Sequence, residues 1–410
     1  MSKRNNFMIE KDKFGGVSTG RIYSIATSVG FALLVLFSLP SLASKIVPVS
    51  SPTPVPEINA PVWALMEMNS GWIIAEQGAN VVRAPASITK LMTNYVVFSE
   101  LKKGTVALSD LVPISEEAWK AEGSRMFADV NTKIELEPLL KSTVIQSGND
   151  ASIALAEFLG GSEPAFAALM NKYGTELGLK QSRFTNSTGL PDDNHVMTAL
   201  DILTLSAAII RDFPNFYSWY SIKSYAHNNI TQYNRNKLLW KDSSVDGLKT
   251  GFTDAAGYCL IATAKRGDQR WLAVVLGADG VREREKAVMS LLEYGFKNFQ
   301  PITKLDDQGG LAALQVYGGD AEELRLQVPH PANLVIPNGR AADVVQVLEH
   351  GPYVEAPIKA GAALGSVSLT LDGIEIYNAP LVAMSTIKAA GWWKGITDSI
   401  KLRWRLFFDE

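Results

Sequence analysis

The chain has almost no cysteine. Cys259 is the only one in 410 residues, so no intramolecular disulfide can brace the fold. It lies in the apolar run Gly257-Tyr258-Cys259-Leu260-Ile261-Ala262, the pattern of a buried strand, where a thiol packs as a small apolar side chain. Histidine is also scarce. His195, His227, His330 and His350 are scattered and form no His-Glu-x-x-His or comparable spacing, so no metal is expected. Neither sign of charge predominates: 39 Lys and Arg against 42 Asp and Glu leave a net charge of −3, without the basic excess that nucleic-acid partners require. The apolar stretch over residues 25–39 is too short for a confident membrane span. Preceded by Arg21 and an extended basic region (Lys3, Arg4, Lys11, Lys13), and followed by Ser41-Leu42-Ala43, it instead has the form of a secretory signal over residues 1–43, an uncleaved anchor being the alternative. A proline-rich linker over 44–61 follows.

Three short motifs stand out, in the order Ser87-Ile88-Thr89-Lys90, Ser147-Gly148-Asn149 and Lys249-Thr250-Gly251. Ser-x-x-Lys alone is uninformative, because it recurs at Ser99–Lys102 and Ser385–Lys388. By contrast, Ser-x-Asn and Lys-Thr-Gly each occur once. Context selects Ser87. It follows Arg83-Ala84-Pro85-Ala86 and opens the helically spaced run Ile88, Leu91, Met92, Tyr95, Val96, whereas Ser99 falls late in that run and Ser385 far downstream. A helix N-terminus offers unpaired N–H groups and partial positive charge, which favour a developing oxyanion. The i,i+3 spacing puts Lys90 on the same face as Ser87. Its amine can take the serine proton only when neutral, which requires burial or a nearby cation. Lys249 supplies that cation if the fold brings it close.

Together these motifs form the signature of penicillin-binding proteins and related β-lactamases. The chain resembles the low-molecular-mass penicillin-binding proteins, the serine-type D-Ala-D-Ala carboxypeptidases. The likeness extends to Gln146-Ser147-Gly148-Asn149-Asp150-Ala151, Asn234-Arg235-Asn236-Lys237-Leu238-Leu239-Trp240, Val245-Asp246-Gly247-Leu248-Lys249-Thr250-Gly251 and Glu293-Tyr294-Gly295-Phe296. The resemblance implies that Ser87 attacks the D-Ala-D-Ala peptide bond of peptidoglycan stem peptides, with Lys90 as base and Ser147 relaying a proton to the leaving amine. It implies further that Asn149 holds the substrate backbone, Lys249 sets the electrostatics, and Thr250 with Arg284 receives the terminal carboxylate. Arg282 competes for that last role. The oxyanion would lie between the backbone N–H groups of Ser87 and Phe252, the latter following Gly251. Phe252 departs from the family, which often has a polar residue there; its N–H survives but a side-chain hydrogen bond to substrate does not. No cofactor is implied, and β-lactams are expected to acylate Ser87. A D,D-endopeptidase or a serine β-lactamase on the same scaffold, or an inactive wall-binding protein, remain alternatives.

The implied architecture is an α/β (α+β) catalytic domain of the penicillin-binding/β-lactamase type over 62–300, a sheet beside a helical cluster. A small all-β domain over 301–387 and a C-terminal amphipathic helix over 388–410 complete it. Apolar runs predict a hairpin at 62–67 and 72–76, helices at 139–145, 151–159, 165–177, 200–210 and 286–294, and strands at 258–264 and 271–276. Lys249 is expected on an edge strand facing Ser87. Beyond Pro301, short strands are predicted at 324–328, 333–336, 345–348 and 366–371. On a wheel of 100° per residue, Trp392, Trp393, Ile396, Ile400, Trp404, Phe407 and Phe408 share a broad face, flanked by Lys394, Lys401 and Arg405, with Arg403 intruding. Aromatic and basic residues so arranged suit a helix lying on an anionic membrane, the alternative being a helix docked on the β domain. With the leader, this predicts a periplasmic enzyme held peripherally at the outer face of the inner membrane.

Overall fold

The computed structural model describes residues 45–46, 51–305, 309–329 and 332–408. The proposed leader and the first part of the linker lie almost wholly outside these residues.

A five-stranded antiparallel sheet forms the centre, in the order Ile73–Gln77, Val62–Glu67, Gln269–Ala278, Gly257–Arg266, Val245–Thr253. It is buried on both faces, and the two-residue period of a strand allots its side chains between them. Val62, Ala64 and Met66, with Leu272, Val274 and Leu276, pack into the helical cluster. Trp63 and Leu65, with Trp271, Ala273 and Val275, pack against the other side. That other side is covered by the helix Val281–Asn298, through Ala287, Val288, Leu291 and Leu292. Gly295 lets this helix approach closely, since a Cβ there would come within 2.6 Å of the Trp271 indole.

The helical cluster surrounds Lys90–Lys103, whose residues from Lys90 to Ser99 are all buried. Around it lie Leu136–Ile145, Asn149–Gly160, Glu163–Glu176 and Ala199–Asp212. Ser162 and Thr198 cap the last two, each accepting a backbone N–H three residues ahead. The predicted helices and catalytic-sheet strands are present; 62–67 matches its strand, 72–76 is shifted by one to Ile73–Gln77, the helix expected at 165–177 spans Glu163–Glu176, and the others have wider bounds. Two small hairpins, Leu111–Pro113 with Lys133–Glu135 and Ser224–His227 with Ile230–Tyr233, were not anticipated. Their three- and four-residue strands are too short to show a period.

After the helix Val281–Asn298 the chain is almost entirely β. Phe299–Lys304 pairs with Ala332–Pro337. The larger sheet runs Val345–His350, Ala363–Leu371, Ile374–Ala383, Glu323–Gln327, Ala312–Tyr317, Tyr353–Glu355, with Lys45–Ile46 added on Ile374–Ala383. Ala312–Tyr317, Tyr353–Glu355 and the ten-residue strand Ile374–Ala383 escaped the sequence reading. The last contains Pro380, which argues against an interior strand. It is tolerated because pairing with Glu323–Gln327 reaches only Val382 and Ala383, so no donor is needed from residue 380 on that flank. The C-terminal helix spans Trp392–Phe408.

Candidate active site

Pro85 ends the approach to a tight 3-10 turn, Ala86–Thr89, and the α-helix begins only at Lys90. Ser87 therefore sits in the turn before the helix and not at its first residue, a small correction to the sequence reading. The turn is tightened by the Thr89 hydroxyl, which donates to the Ala86 carbonyl at 2.8 Å, with Ala86 held at φ +48°. His195 secures it from below. Its Nδ1 accepts the Thr185 N–H at 3.1 Å, so Nε2 carries the proton and donates to Thr89 Oγ1 at 2.7 Å. Burial lowers the His195 pKa to about 4, which keeps this tautomer neutral. Gly189 closes over the turn, where a Cβ would lie 1.9 Å from the Ala86 carbonyl oxygen.

Lys90 is fully buried beneath Ser87. Its Nζ donates to Ser87 Oγ at 3.2 Å, Asn149 Oδ1 at 2.6 Å and the Thr188 carbonyl at 2.7 Å. Burial pulls its pKa down to about 7, against the opposing pull of Glu163 and Asp150. The three acceptors keep the amine aimed, and desolvation makes a neutral base available near neutral pH.

Ser147 lies in the link between Leu136–Ile145 and Asn149–Gly160, at φ +69°. Its Oγ is buried and has no hydrogen-bond partner, although the residue lines the cleft. Asn149 opens the following helix and bridges two elements, with Oδ1 on Lys90 and Nδ2 donating to the Glu122 carbonyl at 2.5 Å. Asp150 steadies the loop above by accepting the backbone N–H groups of Met126, Phe127 and Ala128 at 3.0, 2.9 and 3.2 Å.

Lys249, Thr250 and Gly251 lie on the edge strand Val245–Thr253, as expected. Gly251 passes so close to the nucleophile turn that a Cβ would lie 2.9 Å from the Pro85 oxygen and 3.3 Å from the Ser87 nitrogen. Lys249 is buried, donates to the Thr250 carbonyl at 3.2 Å, and has its pKa driven far down by burial and then by Lys90, Arg235 and Arg284. Arg284 braces the same strand, donating to the carbonyls of Gly251 at 3.1 Å and Cys259 at 3.2 Å, while its Nε stays buried and unpaired. Arg282 is exposed and does not line the cleft. The Phe252 ring is half exposed and rests on Tyr258, ring centres 4.4 Å apart.

The resulting cleft, about 590 Å³, is lined by Ser87, Ser147, Asn149, Thr250, Gly251, Phe252 and Arg284, with Lys90 and Lys249 beneath. The structure thus brings together residues spread over almost 200 positions. It also places Arg235, Lys237 and Thr188 in the lining, none of which the sequence reading assigned a role. The only available signal was the Asn234-Arg235-Asn236 motif. Among the described residues, no group of three or more His, Cys, Asp or Glu side chains forms a set that could hold a metal.

A serine beside a buried, near-neutral amine, under an edge strand carrying Lys-Thr-Gly, defines a serine acyl-transfer site of the penicillin-binding class. The family model for D-alanyl-D-alanine carboxypeptidase matches residues 49–280, and that for the penicillin-binding protein 5 C-terminal domain matches residues 297–389. D-alanyl-D-alanine carboxypeptidase DacA of Escherichia coli (strain K12) is 38% identical over 362 residues, covering 86% of this chain and 90% of that protein. Penicillin binding protein 5 from Haemophilus influenzae superposes with a TM-score of 0.78 at 38% identity, covering 82% of this chain and 99% of that one. Penicillin-Binding Protein D2 from Listeria monocytogenes, in its ampicillin-bound form, superposes with a TM-score of 0.53 at 29% identity, covering 60% and 100%. The chain belongs to the D-alanyl-D-alanine carboxypeptidase family.

Proposed function

We propose that the protein is a serine-type D-Ala-D-Ala carboxypeptidase that trims peptidoglycan stem peptides and is acylated by penicillins. The observation that carries this is the Lys90 amine, held near neutrality by burial and 3.2 Å from Ser87 Oγ. As Ser87 Oγ bonds to the carbonyl carbon of the penultimate residue, its proton passes to Lys90. The backbone N–H groups of Ser87 and Phe252 hold the oxyanion. Collapse breaks the C–N bond, and the proton reaches the departing D-alanine amine through Ser147, whose unpaired hydroxyl suits a relay. Water then hydrolyses the acyl-serine. Asn149 holds the peptide backbone, Lys249, whose charged form burial and its cationic neighbours disfavour, sets the electrostatics of the strand side of the floor, and Thr250 with Arg284 takes the terminal carboxylate. Arg284, not Arg282, lines the cleft, which favours it for that role.

In this reading residues 62–300 are the catalytic domain and 301–387 a β spacer. The enzyme is exported by the leader at 1–43 to the periplasm and rests on the outer face of the inner membrane through its C-terminal helix. No helix among the described residues is by itself long and apolar enough to cross a membrane. Support for surface attachment comes from Trp392, Trp393, Ile396 and Ile400, exposed together on the helix Trp392–Phe408.

Mixing the protein with labelled penicillin, and separately with a D-Ala-D-Ala peptide, tests the activity. A stable adduct lost in Ser87→Ala, together with release of D-alanine, is the expected result. Fast penicillin turnover without D-alanine release would make it a β-lactamase. Cleavage of crosslinked peptides in preference to release of terminal D-alanine would make it an endopeptidase. Neither adduct nor release would mark an inactive wall-binding protein.

A further inference from the structure

The cleft is lined by three cations, Arg235, Lys237 and Arg284, and by no Asp or Glu, in a chain whose acids outnumber its bases 42 to 39. None of the three forms an ion pair with a carboxylate among the described residues. One substrate carboxylate accounts for Arg284. Arg235 donates to Ser124 Oγ at 3.2 Å and helps charge the floor around Lys249. Lys237 has no such task. Its side chain is exposed at the cleft wall, with Nζ 4.7 Å from the centre of the Trp240 ring and 5.9 Å from that of Tyr233. Lys223 approaches the Trp240 ring as well, at 5.8 Å. Aromatic faces attract an ammonium without neutralising it. They hold a flexible side chain in one place, which lowers the entropy lost when it meets an anion.

We propose that Lys237, steadied by Trp240 and Tyr233, binds a second carboxylate on the peptide, upstream of D-Ala-D-Ala, so that the enzyme selects acidic stem peptides. This rests on the carboxypeptidase reading and extends it to substrate choice. With the terminal carboxylate taken by Arg284 in the proposed reaction, Lys237 is the exposed cation of the same lining left for a carboxylate farther up the peptide. The contact is remote from the reacting bond, so it acts on binding and appears in KM more than in kcat.

Two peptides ending in D-Ala-D-Ala, identical except that the upstream carboxylate is free or amidated, test the assignment. D-alanine release is measured for the wild type, Lys237→Met and Lys237→Glu, with penicillin labelling to show that each variant is folded. The wild type should prefer the acid in kcat/KM by about fivefold, the upper range for an exposed ion pair, and salt should shrink that preference. The ratio should fall to about one in Lys237→Met and invert in Lys237→Glu. Equal use of both peptides by the wild type, or a preference unchanged in both variants, overturns the proposal while leaving the carboxypeptidase reading intact. No D-alanine from either peptide overturns both.

Discussion

At Lys90 two requirements compete: a base must be neutral, and a buried amine must have acceptors. The site meets both: charged, the amine donates to Ser87, Asn149 and Thr188; neutral, it keeps its two N–H groups on Asn149 and Thr188 and accepts the Ser87 hydroxyl. With its pKa at about 7, the charged form predominates below that value and the neutral base above it. The acylation rate by penicillin should therefore rise with pH, reach half its maximum near 7, fall about tenfold per unit on the acid side and level off above 8. Stopped-time labelling between pH 5 and 9 measures it. A rate independent of pH across 7 would remove Lys90 as the base. The Ser87–Lys90 spacing was legible in the sequence because it is local. The lowered pKa was not, because the groups that bury and orient the amine, Asn149 and Thr188, come from segments 59 and 98 residues away. Ser147 was legible through its motif, but nothing in Gly148 or Asn149 as residue types signals that its buried hydroxyl is left without a partner.

At the level of elements, the proposed oxyanion hole rests on one contact, between the edge strand Val245–Thr253 and the turn Ala86–Thr89. The strand brings the Phe252 N–H toward the oxyanion position only if it can lie against Pro85 and Ala86, and Gly251 allows this. In Gly251→Ala the new Cβ meets the Pro85 oxygen at 2.9 Å and the Ala86 Cβ at 3.1 Å, both parts of a turn held by Thr89 and His195. The strand must shift by a few tenths of an ångström, which displaces one oxyanion donor. Penicillin acylation should slow by about 10²-fold, while thermal stability drops by no more than about 1–2 kcal/mol. An unchanged acylation rate would show that this strand does not set the geometry. The strand itself was legible as a motif followed by apolar runs, and so were the helices with clear 3.6 periodicity. The sequence spacing predicts a helix start at this turn because Ile88, Leu91 and Met92 keep helical spacing through it. Ile374–Ala383 was missed because Pro380 is acceptable only when the neighbouring strand stops short, a property of the sheet and not of the segment.

For the whole molecule, the open question is what meets the C-terminal helix. One side of Trp392–Phe408 is anchored: the Gly318 N–H donates to Asp398 Oδ2 at 3.1 Å, and Leu402 is buried. The opposite side stays in solvent, with Trp392, Trp393 and Trp404 each more than 60% exposed and Trp392 stacked on Trp393. The alternative of a helix docked on the β domain thus holds along the side of Asp398 and Leu402, while Trp392 and Trp393 face solvent. Clustered exposed aromatic and aliphatic side chains of this kind mark an interaction surface. With Lys394, Lys401 and Arg403 beside it, an anionic bilayer satisfies the rings and the charges together. Anchoring through Asp398 and Leu402 would then set how the catalytic cleft is carried above the membrane. The decisive variant keeps the anchor and removes the patch. In the chain from residue 44 onward, Trp392→Ala with Trp393→Ala and Ile400→Ser should bind vesicles containing anionic lipid at least tenfold more weakly, each lost apolar side chain counting for about 1–2 kcal/mol. Release of D-alanine from soluble peptides should be unaffected, because these positions contribute nothing to the cleft. Co-sedimentation with the vesicles gives the answer. Undiminished binding by the triple variant would mean that another surface of the protein, not this helix, meets the membrane.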